Sequence, residues 1–363
     1  MNNKLKTRNS SYELMRIVGM VLIVFHHLAA HGYAILGKGY PIDASASATE
    51  INNIILLKSF GWPGKLAVGL FMLITAWFAS SGDGQPSWRK FRSTYFTLFY
   101  YNFVLVTILL LTGNPVELTD YLPVYTRVNW YVNGFLLLML LLPTLMSGIA
   151  RLTERNHRIL CLLFLVLDML PWRWSSHFWA FETVVPIDAI EMIFMVFIAQ
   201  YIKKYNPKIC RNRTLCLAVS LFLIVFITAF YFAVFKIGMA RGVAQTTLDN
   251  IADSTSALFP IISIGVFLYM KDINIGCSKV INYIAEITFG MYLFHDNIHF
   301  RSYMWDIIMP HMPTVAQSTA SILLAGLVLS VVFFLCALVL EAIRRNLFLL
   351  AAKARRGNKT IST

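Results

Sequence analysis

The chain has 363 residues, of which 58% are hydrophobic and only 13% are charged, and its mean hydropathy is +0.64. A soluble globular protein is nearer half apolar and a quarter charged, so this composition excludes a soluble enzyme, a disordered chain and a coiled coil. The apolar excess predicts a polytopic, all-α integral membrane protein. The formal net charge of +13 indicates topology first, because cytoplasmic loops collect Lys and Arg, and nucleic acid is not expected as a partner.

Apolar stretches of roughly bilayer length predict a bundle of about ten transmembrane helices. Most of the 31 Lys and Arg residues fall in the two termini and in the connections that follow even-numbered spans, which predicts that both termini are cytoplasmic. We therefore expect a transmembrane domain over residues 1–345 and a basic cytoplasmic tail over 346–363 that is disordered or lies on anionic lipid. The predicted spans lie near residues 12–33, 64–81, 93–113, 129–149, 158–171, 184–202, 214–235, 253–270, 280–299 and 317–340.

The first predicted span carries the polar residues that are most costly to place in a membrane. Arg16 and His27 share one face of a helix, about 16 Å apart along its axis, with His31 one turn beyond, whereas His26 is expected to point elsewhere. Two polar residues on one face of a membrane helix favour a polar passage lined by that face. Histidine gains and loses a proton near neutral pH, which suits it to proton transfer. The alternative is that Arg16 extends to the inner headgroups while the histidines lie at the outer interface.

The ninth predicted span contains a second polar set. His295 lies nine residues beyond Glu286 and reaches about the depth of His27 if both helices start at the same surface. We therefore expect the two histidines to face one cavity and His295 to be a second catalytic residue. Asp296 and Asn297 follow at the outer mouth, where Asp296 could orient an imidazole. The alternatives are that this cluster is a solvated helix end, and that His295 only hydrogen-bonds a neighbouring helix.

Other candidate binding residues are a basic cluster and two weaker polar positions. Arg89, Lys90 and Arg92 open the third span, where they are either ordinary positive-inside charge or a pocket for a phosphorylated ligand. Trp130 at the fourth span either belongs to an aromatic belt or stacks on a sugar ring. Glu191 in the sixth span is a weak candidate for substrate binding.

Several motifs, taken in chain order, resemble those of the acyltransferase-3 family of membrane acyltransferases. The family's hallmark is an Arg, ten residues and a His in the first span, here Arg16 and His27. The second-span motif departs from the family at Ile74–Ala76, which reads Ile-Thr-Ala where Ser-Gly is usual. The resemblance covers the whole predicted transmembrane domain. The other matching segments are GLFMLITAWFASSG, WRKFRSTYF, NWYVNGFLLLMLLLP and IAEITFGMYLFHDN, the last of which contains His295.

The resemblance implies an acyltransferase that transfers groups other than aminoacyl groups, with acyl-CoA, by family habit acetyl-CoA, as the cytoplasmic donor. HHLAAHG and LFHDNIHFR look most like enzymes that modify cell-surface or capsular polysaccharides, which implies a surface polysaccharide or lipid-linked glycan as acceptor and the cell membrane as location. Carried over to this chain, His27 is the essential histidine, Arg16 is its partner, and Lys90 and Arg92 lie where donor-binding residues are expected.

Two questions stay open at the level of sequence. The His27 imidazole could act as a general base on an acceptor hydroxyl, or it could itself carry the acyl group. Intramembrane His, Glu and Arg also occur in proton-coupled transporters and flippases, and a non-catalytic subunit of a polysaccharide-assembly complex is a further alternative. No metal is expected, since the five cysteines lack metal-ligand spacing.

Overall fold

The fold is helical throughout, as the composition predicted. Every regular element among the described residues is a helix, and no strand occurs within them. The prediction of an all-α membrane protein is therefore confirmed. The computed structural model describes residues 9–36, 40–79, 87–123, 129–169 and 187–361.

The described chain forms α-helices joined by short connections, with a π-helical turn at Leu28–Gly32 directly after the first helix. In chain order the helices are α1 (Ser10–His27), α2 (Ala48–Lys58), α3 (Gly61–Trp77), α4 (Trp88–Leu111), α5 (Trp130–Arg151), α6 (Glu154–Met169), α7 (Ile187–Tyr205), α8 (Lys208–Arg211), α9 (Arg213–Ala240), α10 (Gln245–Asp253), α11 (Phe259–Met270), α12 (Lys279–His295), α13 (Arg301–Ile308) and α14 (Thr319–Ile361).

Seven helical segments in the described part of the chain are long and apolar enough to cross a bilayer. The three other predicted spans coincide with α6, α7 and α12; of these, α6 has 16 residues and α12 has 17. The total of about ten spans, like the cytoplasmic placement of both termini, stays a prediction. The seven segments are Ser10–Gly32, Ala48–Trp77, Trp88–Leu111, Trp130–Arg151, Arg213–Ala240, Gln245–Met270 and Thr319–Leu350.

The third predicted span begins earlier than its apolar pattern indicated. We expected a start near residue 93, whereas α4 begins at Trp88. The basic residues Arg89, Lys90 and Arg92 occupy its first turns, where their side chains are exposed. Long basic side chains have good intrinsic helix propensity, so a hydropathy pattern underestimates the length of a helix that begins with them.

Two further elements differ from expectation. Helix α2 was not predicted, because it is short and its apolar run is bounded by two Asn residues and a Lys. Ser47 caps it by accepting a hydrogen bond from the main-chain N–H of Glu50 at 3.2 Å. Helix α14 runs past the predicted end of the tenth span, near residue 340, to Ile361; that residues 346–363 form a basic cytoplasmic tail, disordered or lying on anionic lipid, stays a prediction.

Some predicted features fall partly outside the described residues. They are the first eight residues of the N-terminal tail, the end of the second span at 80–81, the end of the fifth span at 170–171 and the start of the sixth span at 184–186.

Helix α1 lies at the centre of the bundle, where it packs against α3, α12 and α14. At its contact with α3, a Cβ atom added to Gly19 would lie 3.6 Å from the Cβ of Ala67, and such small residues allow the close approach by which membrane helices associate. One apolar core joins α1 to α4, α12 and α14, and a second extends from α3 to α5, α7, α9 and α11. This packing places the polar face of α1 between α3 and α12.

Candidate active site

A cavity of about 580 Å³ lies along α1, enclosed by α3, α5 and α12. Its wall contains both Arg16 and His27, so these residues share one face as the helical register predicted. We refer to the Arg16 end and the His27 end of the cavity. The other polar or amphipathic residues of the wall are Glu13, His26, His31, Lys65, Thr75, Trp130, Tyr131, Glu286, Thr288, Tyr292, Asp296 and Arg301.

The Arg16 end is lined by ion pairs. Nη1 of Arg16 donates to both carboxylate oxygens of Glu13 at 2.7 Å, and Glu13 is buried while the Arg16 side chain is about one-quarter exposed. Glu286 on α12 accepts a bond of 3.3 Å from Arg345 on α14, and Arg345 also donates to Glu341 at 2.9 Å. These pairs reduce the cost of placing charge in an apolar bundle and leave a guanidinium on the cavity wall.

The His27 end contains two imidazoles in direct contact. Nδ1 of His27 lies 2.9 Å from Nε2 of His295, and Nδ1 of His295 lies 2.6 Å from the carbonyl oxygen of Met291. A carbonyl oxygen only accepts, so His295 Nδ1 carries a proton and, in the neutral ring, Nε2 accepts. It follows that His27 carries its proton on Nδ1 and has a lone pair on Nε2. The His295 ring is fully buried and stacks on Phe333, with ring centroids 5.2 Å apart.

A carboxylate lies beside that lone pair. Oδ1 of Asp296 is 3.8 Å from Nε2 of His27 and 3.7 Å from Nε2 of His31. Nη1 of Arg301 lies 3.5 Å from the same Oδ1 and 3.5 Å from Nε2 of His31. The main-chain oxygen of Asp296 accepts a hydrogen bond of 3.0 Å from the side chain of Asn129, which joins the start of α5 to the end of α12. The carboxylate of Asp296 therefore stabilises His27 once the ring is protonated, while the neutral ring can act as a base through Nε2.

The local fold explains why three histidines of one segment meet the same cavity. His26, which we expected to point elsewhere, also borders it: its Nδ1 lies 2.9 Å from the carbonyl oxygen of Phe60. Gly64 makes room for that ring, because a Cβ at this position would lie 2.5 Å from it. After His27 the α-helix gives way to the π-helical turn, a feature frequent at functional sites, and His31 remains on the wall.

Of the weaker sequence candidates, Trp130 lies on the cavity wall and Glu191 lies behind it. Nζ of Lys65 is 5.7 Å from the centroid of the Trp130 ring and 3.8 Å from a carboxylate oxygen of Glu191. Lys65 itself lines the cavity. Lys65 therefore links Trp130 on the cavity wall to Glu191 behind it, and the three residues join α3, α5 and α7.

The remaining candidates do not lie on the described cavity wall. Arg89, Lys90 and Arg92 are exposed on the first turns of α4. Asn297 is buried: its side-chain nitrogen donates to Asn102 at 3.0 Å, and its side-chain oxygen accepts from the main-chain N–H groups two and three residues further on, each at 3.1 Å. The structure thus places Asn297 in the turn after α12, where it orders the backbone that follows Asp296.

Several polar wall residues, among them Glu13 and Lys65, are not predicted from the sequence. Glu13 pairs with Arg16, and acidic and basic residues three positions apart on a helix are a readable signal of such a pair. Lys65 lies in the first turns of α3 and lines the cavity. No pattern in one sequence shows that Lys65 and Trp130 meet, because they belong to different helices.

Comparison with known families identifies the family of this chain. A family model described as an acyltransferase domain, Acyl_transf_3, matches residues 9–341, which include every residue of the cavity wall. Searches of curated proteins and of solved structures find no match. The match extends over most of the chain, and the described helices include seven that are suited to a bilayer. The chain therefore belongs to the acyltransferase-3 family and is a membrane acyltransferase.

Proposed function

We propose that this protein moves an acyl group, specifically acetyl, from acyl-CoA to a hydroxyl group of a cell-surface or exopolysaccharide glycan. In this proposal it is a multi-pass protein of the cell membrane, with both termini cytoplasmic. The observation that carries the proposal is the 2.9 Å contact between His27 Nδ1 and His295, which leaves the lone pair of His27 on Nε2, at the cavity wall and 3.8 Å from the carboxylate of Asp296.

His27 is the general base in the proposed transfer step. The acceptor oxygen attacks the thioester carbon while its proton passes to Nε2 of His27. The new C–O bond forms, the C–S bond breaks, and the leaving thiolate takes the proton from Nε2, which gives free CoA and restores neutral His27. Asp296 stabilises the imidazolium that exists between the two proton transfers, because its carboxylate lies 3.8 Å from that nitrogen.

The two ends of the cavity suit the two substrates. The donor enters from the Arg16 end, where a guanidinium is available to its polar arm, and Lys90 and Arg92 bind its phosphates at the surface. The acceptor enters at the His27 end. There Trp130 offers an aromatic face to a sugar ring, and Lys65, held by Glu191, offers a hydrogen-bond donor to its hydroxyl groups.

Replacement of His27 tests the proposed function. The purified His27→Ala variant should lose transfer and hydrolysis of acetyl-CoA, and surface glycans of cells that carry it should lack acetyl groups in mass spectra. His311→Ala is the matched control, because His311 is exposed and lies away from the cavity wall; it should behave as wild type. Normal glycan acetylation by a stably expressed His27→Ala protein would refute the proposal.

A further inference from the structure

We propose that His27, His31 and Asp296 form a binding site for a divalent transition-metal ion of the Zn²⁺ class, and that the bound ion blocks acyl transfer. The binding site is inferred from its own geometry, and only the inhibitory effect rests on the proposed function. The three residues come from the end of α1, from the π-helical turn after it, and from the end of α12.

Three potential ligand atoms converge on one point of the cavity wall. One potential ligand atom from each of His27, His31 and Asp296 lies within 4.8 Å of the other two, and Nε2 of each imidazole is less than 4 Å from Oδ1 of Asp296. Ligands bound at about 2.0–2.1 Å in a tetrahedral zinc site are about 3.4 Å apart. To complete the ligand set, each imidazole nitrogen would have to move about 0.3–0.4 Å closer to the carboxylate oxygen, and the two imidazole ligand atoms, at most 4.8 Å apart, would have to move up to about 1.4 Å closer together.

The neighbouring hydrogen bonds prepare His27 to be a ligand. A metal-binding histidine usually donates its second ring N–H to another group, which fixes the tautomer and orients the ring. Nδ1 of His27 donates to His295, which in turn donates to Met291, so the lone pair of His27 is on Nε2. This is the nitrogen that faces Asp296, and no deprotonation of His27 is needed for an ion to bind.

The mixed ligand set selects the class of ion. Two imidazole nitrogens and one carboxylate oxygen suit Zn²⁺ or Co²⁺, whereas Mg²⁺ and Ca²⁺ prefer oxygen ligands. The three residues also line the cavity, so a fourth coordination position is open to water or a substrate group. The ion would occupy the same lone pair of His27 that accepts the proton during transfer, and binding and catalysis therefore exclude each other.

Arg301 competes with the ion for this position. Its Nη1 lies 3.5 Å from both Asp296 and His31, so it already supplies positive charge at the carboxylate. The Arg301 side chain is about one-third exposed, which allows the guanidinium to turn outward when an ion binds. Since like charges repel at this distance, removal of the guanidinium should strengthen metal binding.

Titration of the metal-free, detergent-solubilised protein with Co²⁺ tests the site without measuring activity. Wild type should develop the visible absorption bands of a tetrahedral cobalt centre, and Zn²⁺ should abolish them by displacement. His31→Ala should weaken binding more than about tenfold, the surface variant His311→Ala should leave it unchanged, and Arg301→Ala should strengthen it about tenfold or more. Absence of the bands in both wild type and Arg301→Ala, or equal binding by His31→Ala, would overturn the proposed site.

A separate assay tests the inhibitory effect. Zn²⁺ added to the wild-type enzyme should reduce acetyl transfer at concentrations that displace Co²⁺, and a chelator should restore it. A bound ion that leaves transfer unchanged or increases it would overturn the inhibitory part. If the protein binds Co²⁺ but shows no transfer even without metal, the proposed function fails while the metal site stands, so the two failures are distinguishable.

Discussion

Replacement of His295 offers a direct test of how the structure prepares His27. In the structure His295 accepts a hydrogen bond from His27 Nδ1 but does not line the cavity, so it is a positioning residue. His295→Ala removes the acceptor, whereas the amide oxygen of His295→Gln can still accept from Nδ1. We therefore expect His295→Ala to reduce kcat strongly and His295→Gln to recover part of the loss.

The size of the effect follows from the burial of this contact. The hydrogen bond is 2.9 Å long and joins residues that are 6% and 0% exposed. A buried N–H left without an acceptor costs about 1–3 kcal/mol. If that cost falls on the tautomer with its lone pair on Nε2, kcat decreases about 5- to 150-fold, since about 1.4 kcal/mol corresponds to a factor of ten.

The measurement is the steady-state rate of acetyl transfer by purified wild type and both variants, with Tm recorded for each. The KM for acetyl-CoA should be nearly unchanged, because His295 does not face the cavity, while kcat decreases in the order wild type, Gln, Ala. A merely structural role would lower Tm and activity together and would not favour Gln over Ala. Equal kcat values for wild type and a folded His295→Ala would refute the tautomer argument.

Two further predictions concern donor binding and stability. Lys90→Ala combined with Arg92→Ala should weaken acetyl-CoA binding about 2- to 30-fold, the range for two exposed ion pairs. The exposed control Arg158→Ala should leave binding unchanged. If titration calorimetry shows unchanged affinity for the double variant, Lys90 and Arg92 only mark the cytoplasmic side of α4. Lys58 and Asp249 form a buried ion pair of 2.7 Å, so Lys58→Met should lower the free energy of unfolding by about 3–5 kcal/mol. The double variant with Asp249→Leu should recover much of the loss in Tm, and a single variant as stable as wild type would contradict this.

The sequence was a good guide to the fold where hydrophobic patterning alone decides structure. The long apolar spans correspond to helices, because a membrane leaves backbone groups few ways to be satisfied other than a helix. Patterning was a poor guide where polar residues are helical, as at Arg89, Lys90 and Arg92 in α4. It also missed α2, whose helical state depends on its cap and its packing.

The candidate site was predictable only as far as one helix at a time. The common face of Arg16 and His27 follows from helical periodicity, and the structure places both on one cavity wall. The direct contact of His27 with His295 required the relative depth and rotation of α1 and α12, which depend on packing between helices. The expectation that His26 points elsewhere was wrong, because a ring at the helix edge reaches the cavity where Gly64 leaves space.

The single helix that carries both Arg16 and His27 also fixes the distance between them. An α-helix has a fixed rise per residue, so the two side chains start about 16 Å apart whatever the neighbouring helices do. On the proposed function, a donor held at the Arg16 end reacts only if its thioester reaches across this interval to Nε2 of His27. Discrimination between donors then depends on reach as well as on affinity: a carrier with a shorter arm would occupy the cavity as an inhibitor, and a bulkier acyl group would extend past His27 toward Asp296 and Arg301.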